Sequence, residues 1–477
     1  MIFKVLAERN ANDRKTFLYD NVTNTLSTED GFVFEYGDAA THEDTRKEYK
    51  AFSATNPLIK SKKARTLKIQ LGLSCNYSCD YCSQRFVGRA QETNKKDIDA
   101  FLEQLENLEF SEELGLKVEY WGGEPFVYWK TMRPLHDALL AKFASWGHKP
   151  HYSVITNGSI LTEEICDWLV SNDFAVAVSH DGPGQHVRGP DPFEDPEQKR
   201  IVLSLYARLR PLGKMSFNSM LNKNNMSRKE VFDWFVAFTG DPNVPLGEGA
   251  MVDAYDEGGV DNSLSTKADN FKYRKQSFSD IFVTQGNIGF IGILDKVDNF
   301  TKTLLTHSNT KFLGQKCGMD REDTLAVDLR GNVLTCQNVS SVSTSPSGES
   351  HLGGNLSNID DVKITTATHW SQRDHCSACP VLSICQGSCM FISGDLWHTT
   401  CANAYSDAVA LFALAIERVT DGYIPIFIDG VGLPDERKDI WGTLLEHKET
   451  RKPFPVKVVA ATPTKAVIDN VEVYVPG

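Results

Sequence analysis

Positive charge is in short supply in this sequence: 50 Lys and Arg against 63 Asp and Glu leave a formal net charge of -13. Such acidity speaks against broad nucleic-acid binding, which needs basic surface to neutralise phosphates. The one basic run, Lys60 to Lys68 (KSKKARTLK), is short and reads as a solvated face. No signal peptide opens the chain, because Met1 to Leu6 is followed at once by Glu8, Arg9 and Asn10, and no apolar run approaches the ~20 residues of a membrane span. These absences predict a cytoplasmic protein with no nucleic acid and no membrane among its partners. The 12 histidines form no HxxxH or HxH pair, so all of them, His180 and His186 included, read as packing or surface residues. Cysteine, by contrast, is plentiful at 11, and in a reducing compartment the spacings are those of metal sites, not of disulfides.

With 477 residues, 41% hydrophobic and 24% charged, the chain is long enough for two or three domains and ordinary enough in composition to fold as a globule. Its organising stretch is Leu71 to Cys82, LGLSCNYSCDYC, where Cys75, Cys79 and Cys82 are separated by three and then two residues. The loop follows Leu67, Ile69, Leu71 and Leu73, an alternation that predicts a buried strand. Three soft thiolates so close together suit an iron-sulfur cluster or zinc, and not magnesium or calcium. A structural zinc would want a fourth Cys or His, which the next residues, SQRFVGR, do not supply. The open position could take an exogenous ligand. A three-thiol zinc loop or three buried cysteines are the alternatives.

From Leu67 to about Asp253 strand and helix patterns alternate, as in an α/β barrel. Strands are expected at Leu67 to Leu73, Leu116 to Trp121, Tyr152 to Ile155, Phe174 to Ser179, Met215 to Leu221 and Pro245 to Val252. Between them lie helix signals: Ile98, Phe101, Leu102, Leu105 and Leu108 at helical spacing, starts near Thr162 and Asp195 with Pro196 in the first turn, and a capping box of Ser227 and Glu230. Most of these strands end in glycine or polar residues, where parallel α/β folds put their chemistry. The expected fold class is α/β: a partial (β/α)6 TIM-type barrel over residues 67–310 with a small β-rich N-terminal module over 1–66. That module shows strands at Ile2 to Leu6, Thr16 to Tyr19 and Gly31 to Tyr36 around a turn at Asn21 to Asn24. Residues 260 to 310 predict bridging helices, with Ile293, Val297 and Phe300 alternating with Asp295, Lys296 and Asp298. Cys166, among Ile165, Trp168 and Leu169, reads as a packing thiol.

After the second strand comes Gly122, Gly123, Glu124, Pro125. Glycines let backbone approach a ligand, and a carboxylate accepts hydrogen bonds from an ammonium. Further on stand Cys317, Cys336, Cys376, Cys379, Cys385, Cys389 and Cys401, whose middle group is CxxCx5Cx3C. Two zinc ribbons usually show two CxxC pairs; only one occurs here.

The CxxxCxxC loop with Tyr81 before its last cysteine, followed by GGEP, resembles the radical S-adenosylmethionine (SAM) superfamily, and the later cysteines resemble its C-terminal SPASM domain, here residues 311–418. The resemblance spans about Leu67 to Arg418. It implies an oxidoreductase with three 4Fe-4S clusters. Cys75, Cys79 and Cys82 would be the catalytic ligands of the SAM-binding cluster, with Tyr81 against the adenine and Gly122, Gly123 and Glu124 at the amino group. Ser179 is similar to a serine that touches the nucleoside, and Asn157 would be near it or would merely stabilise its turn. Cys376, Cys379, Cys385 and Cys401 would close one auxiliary cluster. Cys317, Cys336 and Cys389 would hold the other, leaving its fourth ligand to a different residue, solvent or substrate. The implied partners are a precursor peptide or protein substrate and a low-potential flavodoxin or ferredoxin. Anaerobic sulfatase maturases carry an aspartate after the second SPASM cysteine, where this chain has Gln337, a residue that cannot act as a base. Peptide maturases that form thioether, C-C or C-O crosslinks fit the extra N-terminal module, which stands where some of them carry a leader-binding domain, although its three-helix half is not recognisable. A SPASM-bearing dehydrogenase of a small molecule and a non-enzymatic zinc-binding protein are the rivals. Beyond the helix expected at Tyr405 to Arg418, the tail at 419–477 shows strands at Ile424 to Ile428, Val456 to Ala461 and Ala466 to Tyr474, with no indication of their partners.

Overall fold

The computed structural model describes residues 1–10, 12–36, 48–49, 51–110, 115–255, 257–283, 290–346, 348–441, 466–468 and 471–473. All six expected strands of the central region form, as Thr66–Gln70, Lys117–Trp121, His151–Thr156, Ala175–Ser179, Met215–Leu221 and Leu246–Met251. They lie side by side in chain order, and every neighbouring pair is parallel. Each parallel step needs a crossover, and helices supply it: Ile98–Gln104, Trp129–Ser145, Glu163–Ser171, Pro196–Leu209 and Arg228–Thr239. Thr162 and Asp195 cap two of these helices through their side chains, and Ser227 accepts from the Glu230 amide at 3.1 Å. The alternation along the strands sorts two faces. Val118, Tyr120, Val154, Val176, Val178 and Phe217 are buried, whereas Glu119, Trp121, Ser153, Ile155 and Ala177 are only partly covered and line a cavity of about 440 Å³ on the other face.

The cysteine-rich region does not begin a new sheet. Thr324–Asp328 pairs in parallel with Thr66–Gln70, and Asn332–Leu334 and Leu352–Asn355 continue antiparallel, making nine strands in one sheet. This arrangement covers what would otherwise be the open edge of the first barrel strand.

The N-terminal strands Ile2–Asn10, Asp13–Asp20 and Thr25–Thr28 form an antiparallel sheet whose fourth member is Ile424–Asp429 from the tail. The N-terminal segment and the tail are therefore one unit, where the sequence showed two. The expected strand at Gly31 to Tyr36 reduces to a bridge between Val33 and Ser27, with Phe34 donating its amide to Leu26. Thr25–Thr28, polar but for the buried Leu26, was not expected. Val456 to Ala461 lies outside the described residues, and of Ala466 to Tyr474 the parts 466–468 and 471–473 pair with each other.

The helix Gly394–Val419 is longer than expected and apolar enough to cross a membrane by length and composition, which corrects the reading that no run approaches that length; most of it is buried inside the protein. It packs on Lys267–Val283 and Ile291–Leu305, whose Ile293, Val297 and Phe300 are buried as the pattern required. Arg228, fully buried, fastens these parts together, donating to Gly249 O and Ser277 Oγ at 2.8 Å each and pairing with Asp407 on the long helix. Arg228→Met is expected to lower stability by about 3–5 kcal/mol, read by urea unfolding, because it leaves the Asp407 carboxylate without its counter-charge in the interior.

The basic run is a solvated face only in part: Lys62 and Lys63 are exposed, but other members turn inward. Lys60 is buried, and its Nζ donates to the carbonyls of Met319, Arg321 and Thr324 at 2.8 Å each; burial pulls its ammonium down to about 8. Lys68 points to the concave face of the sheet, paired with Glu119 at 3.3 Å. The run crosses from a short strand into the first sheet strand, so alternate residues turn inward.

Candidate active site

At the carboxyl end of Thr66–Gln70 the chain turns into the cysteine loop, and residues 71–75 lie directly on the Gly122–Glu124 turn. Gly123 N donates to Gly72 O at 3.1 Å and Glu124 N to Ser74 O at 3.0 Å. A Cβ at position 123 would stand 2.4 Å from Ser74 O, and one at 122 would stand 2.9 Å from Gly72 O. The close approach that these glycines permit is thus first of all to the cysteine loop's own backbone. Amides point at the thiols: Tyr77 N to Cys75 Sγ at 3.3 Å and Gln84 N to Cys82 Sγ at 3.4 Å. Burial pushes the Cys75 thiol up and that of Cys79 to about 11, so a metal must displace protons to bind.

Glu124 is 1% exposed, and both oxygens are engaged. One accepts from Thr156 Oγ1 at 2.7 Å and Phe126 N at 3.2 Å, the other from Asn157 N at 2.7 Å. Burial raises its carboxyl to about 6, against the pull of those donors. Asn157 in turn reaches the cysteine loop, donating to Asn76 Oδ1 at 2.8 Å, while its own oxygen accepts from Ser159 N at 2.9 Å. It both stabilises its turn and ties that turn to the loop. Ser179 sits at the end of its strand, partly exposed on the concave side, in register with Asn218.

Tyr81 is held by two residues that the sequence did not single out. Its hydroxyl donates to Asp181, and Arg188 Nη1 donates to it at 3.0 Å while standing 3.6 Å from Asp181. Asp181 is fully buried and also accepts from Met220 N at 2.9 Å. His180 anchors this turn: its ring lies between Phe193 and Trp234, Gly182 N donates to Nδ1 at 3.0 Å, and Nε2 donates to Asp191 at 3.0 Å. Lone charged residues after a strand carry no spacing pattern; the only signal for Asp181 was its place in HDGP.

Of the later cysteines, Cys376, Cys389 and Cys401 border one apolar cluster and Cys336 another. Burial lifts the Cys336, Cys385 and Cys389 thiols to about 12. Two arginines serve them. Arg437, from the tail, donates to Cys401 Sγ at 3.2 Å, and Arg373 donates to the carbonyls of Cys389 and Ile392 at 3.0 Å each. Among the described residues, no three His, Cys, Asp or Glu side chains converge as a single ion requires. Zinc with sulfur at ~2.3 Å would draw its ligands closely around one point, whereas a cluster carries thiolates on separate irons. Soft thiol donors in such number are the ligand chemistry that iron-sulfur clusters take. The 440 Å³ cavity lies elsewhere, toward the amino ends of the strands, where Lys117, Ala175 and Met215 line it and none of Gly122 to Glu124, Asn157 or Ser179 does.

A parallel α/β sheet with a three-thiol loop at the carboxyl end of its first strand is the layout that the radical SAM resemblance calls for, and known proteins agree with it. Residues of this chain match the radical SAM cyclopropyl synthase TigE of Paramaledivibacter caminithermalis with 23% identity over 193 residues, 38% of this chain and 39% of that protein. They match the serine-type anaerobic sulfatase-maturating enzyme of Bacteroides thetaiotaomicron with 27% identity over 172 residues, 34% of this chain and 36% of that protein. The matched part thus spans less than two fifths of either relative. In fold the chain is similar to native anSMEcpe with bound AdoMet, with a TM-score of 0.52 and 16% identity over 74% of this chain and 99% of that one. No protein-family model matches. In sequence and in fold, the chain resembles radical SAM enzymes and, among them, the maturases of peptides and sulfatases.

Proposed function

We propose that this chain is a radical SAM oxidoreductase that modifies a side chain of a peptide or protein, built as a partial barrel with a SPASM domain. The observation that carries the reading is the cysteine loop seated on the Gly122–Glu124 turn at the carboxyl ends of parallel strands. Cys75, Cys79 and Cys82 would hold a 4Fe-4S cluster, Cys376, Cys379, Cys385 and Cys401 a second, and Cys317, Cys336 and Cys389 a third. Bound together, the first cluster and SAM supply reductive cleavage of SAM and a 5'-deoxyadenosyl radical. This chain's residues do the rest by position. Gly122 and Gly123 keep the loop flat on the turn, Glu124 and Asn157 fix the neighbouring strand end, and Ser179 would hold the nucleoside. Tyr81, pinned by Asp181 and Arg188, would bind the adenine, and the Arg188 guanidinium beside the loop would suit a carboxylate.

A peptide substrate is supported by the similarity to anSMEcpe, solved with bound AdoMet and Cp18Cys peptide (TM-score 0.51, 18% identity over 74% of this chain and 99% of that one). Intrapeptide crosslinking by thioether, C-C or C-O bonds is favoured over formylglycine formation because Gln337 stands where sulfatase maturases have an acid. It is buried, and its carbonyl accepts from Gln70 Nε2 at 2.6 Å. The N-terminal sheet has both edges engaged, by Val33 on one side and by the bridge from Phe427 to Asp439 on the other. Strand addition by a leader peptide would have to displace these bridges, and we assign the sheet a structural role. A low-potential flavodoxin or ferredoxin in the cytoplasm would serve as reductant.

Oxygen-free preparations are expected to contain iron and sulfide in excess of zinc and, once reduced, to release 5'-deoxyadenosine from SAM. Zinc in place of iron, or no nucleoside, would overturn the proposal.

A further inference from the structure

One short segment of the cysteine-rich region, residues 337–339, lies at the carboxyl ends of the first two barrel strands, and three side chains from there hold it. Gln70, the last residue of its strand, donates Nε2 to Gln337 O at 2.6 Å and to Val339 O at 2.7 Å. Trp121, which ends the next strand immediately before Gly122, donates Nε1 to Asn338 Oδ1 at 2.8 Å. Gln84, two residues past Cys82, donates Nε2 to the same oxygen at 3.1 Å and to Gly122 O at 3.3 Å. The Gln84 amide meanwhile donates to Cys82 Sγ at 3.4 Å. Asn338 serves its own cysteine in the same way, with its N donating to Cys336 Sγ at 3.4 Å. Two side chains, Gln84 and Asn338, thus join a thiol of the first loop to a thiol of the three-cysteine set. Gln70, Gln84 and Gln337 are buried, so water competes little for these bonds.

Resting on the reading above that the first loop binds a cluster with SAM and that the three-cysteine set holds another, we infer that Asn338 is a positioning residue for the SAM site, and that filling the three-cysteine set tightens SAM binding through it. A Cys336 thiolate fixed on iron takes the Asn338 N–H as a charge-assisted bond, stronger than the one to a thiol. That bond steadies the Asn338 side chain, whose oxygen in turn holds Trp121 and Gln84 beside Gly122. Asn338 is neither a ligand nor a group that meets SAM. Coupling between two sites is reciprocal and typically amounts to about 5- to 150-fold in affinity.

The test uses the full chain, reconstituted without oxygen, with SAM binding measured at equilibrium and iron and sulfide counted. Asn338→Ala is expected to weaken SAM binding about tenfold, the worth of the two side-chain bonds it gives up, at unchanged iron and sulfide. Asn338→Asp keeps an acceptor oxygen between Trp121 and Gln84 and is expected to restore the affinity. Cys317→Ala combined with Cys389→Ala, which empties the set but leaves Cys336 in place, is expected to remove about four irons and to weaken SAM binding by a similar factor. Adding Asn338→Ala to that pair is expected to cost nothing further. Parent affinity in Asn338→Ala would overturn the inference, as would losses that multiply on combination, since Asn338 and the set would then act separately. If the paired cysteine variant loses all its iron, the two Asn338 variants still decide: affinity lost equally in both would make the effect one of packing and overturn it. A parent whose iron fills only two clusters would instead sink the cluster assignment while the Asn338 comparison stands, and so separates the two failures.

Discussion

Replacing Cys75, Cys79 and Cys82 together with alanine is expected to abolish 5'-deoxyadenosine formation while removing only about four of roughly twelve irons. The argument is geometric. The three thiols stand on one loop at the carboxyl end of the first strand, with their own backbone amides directed at Cys75 and Cys82. The seven later thiols lie in separate sets held by Arg373, Arg437 and the buried Lys60. The loop touches those sets through Gln84, which donates to Asn338 Oδ1 at 3.1 Å and is not itself substituted, so the auxiliary iron should survive. Iron and sulfide assays with nucleoside detection read both halves of the outcome. Simultaneous loss of all iron would mean that the sets do not load independently, and unchanged nucleoside release would place SAM cleavage elsewhere.

Glu124→Ala is expected to weaken SAM binding at least tenfold and to lower stability by about 2–4 kcal/mol, with iron content preserved. The carboxylate accepts from Thr156 Oγ1, Asn157 N and Phe126 N, and a buried donor left without acceptor costs about 1–3 kcal/mol. Relief of a buried charge offsets part of that loss. The Asn157 turn, which reaches Asn76 on the cysteine loop, would lose its anchor. A pH dependence accompanies this. Burial raises the Glu124 carboxyl from its ordinary 4.5 to about 6, so between these values the folded state binds more protons than the unfolded one. Stability therefore falls by about 2 kcal/mol as pH rises through that window, and Glu124→Gln should flatten the slope. Urea unfolding across pH 4 to 7, with equilibrium SAM binding, decides the matter. Intact affinity alongside lost stability would confine Glu124 to holding the strand end.

The parallel strands were legible because each is a short β-branched or aromatic alternation closed by glycine or a polar turn, as in Tyr152 to Ile155 before TNG. Strand ends shifted by a residue or more, as at Thr66–Gln70, whose apolar pattern continues into the loop through Leu71 and Leu73. The cysteine spacings marked three thiols on one loop and seven later ones, and the division of the seven into two sets is what the family resemblance implies. Pairings across hundreds of positions were not legible: nothing local in Ile424 to Ile428 says that it lies beside Val5 and Leu6. Single charged residues were also silent. Lys60 and Lys68 look like a surface run until their alternate positions are seen to face inward. Glu124 was readable as important but not as a clamp, because its acceptors' partners, Thr156 and Asn157, come from another strand.

Pairing between Ile2–Asn10 and Ile424–Asp429 has a consequence for biosynthesis. Ile2–Asn10 waits for a partner more than four hundred residues further along the chain, so its outer edge stays vacant while everything between the two is synthesised. Every cysteine has emerged before that edge is closed. Metallation can then precede the final closure, and a nascent chain stalled short of residue 424 would expose a sticky apolar strand to its neighbours and invite clumping on the polysome.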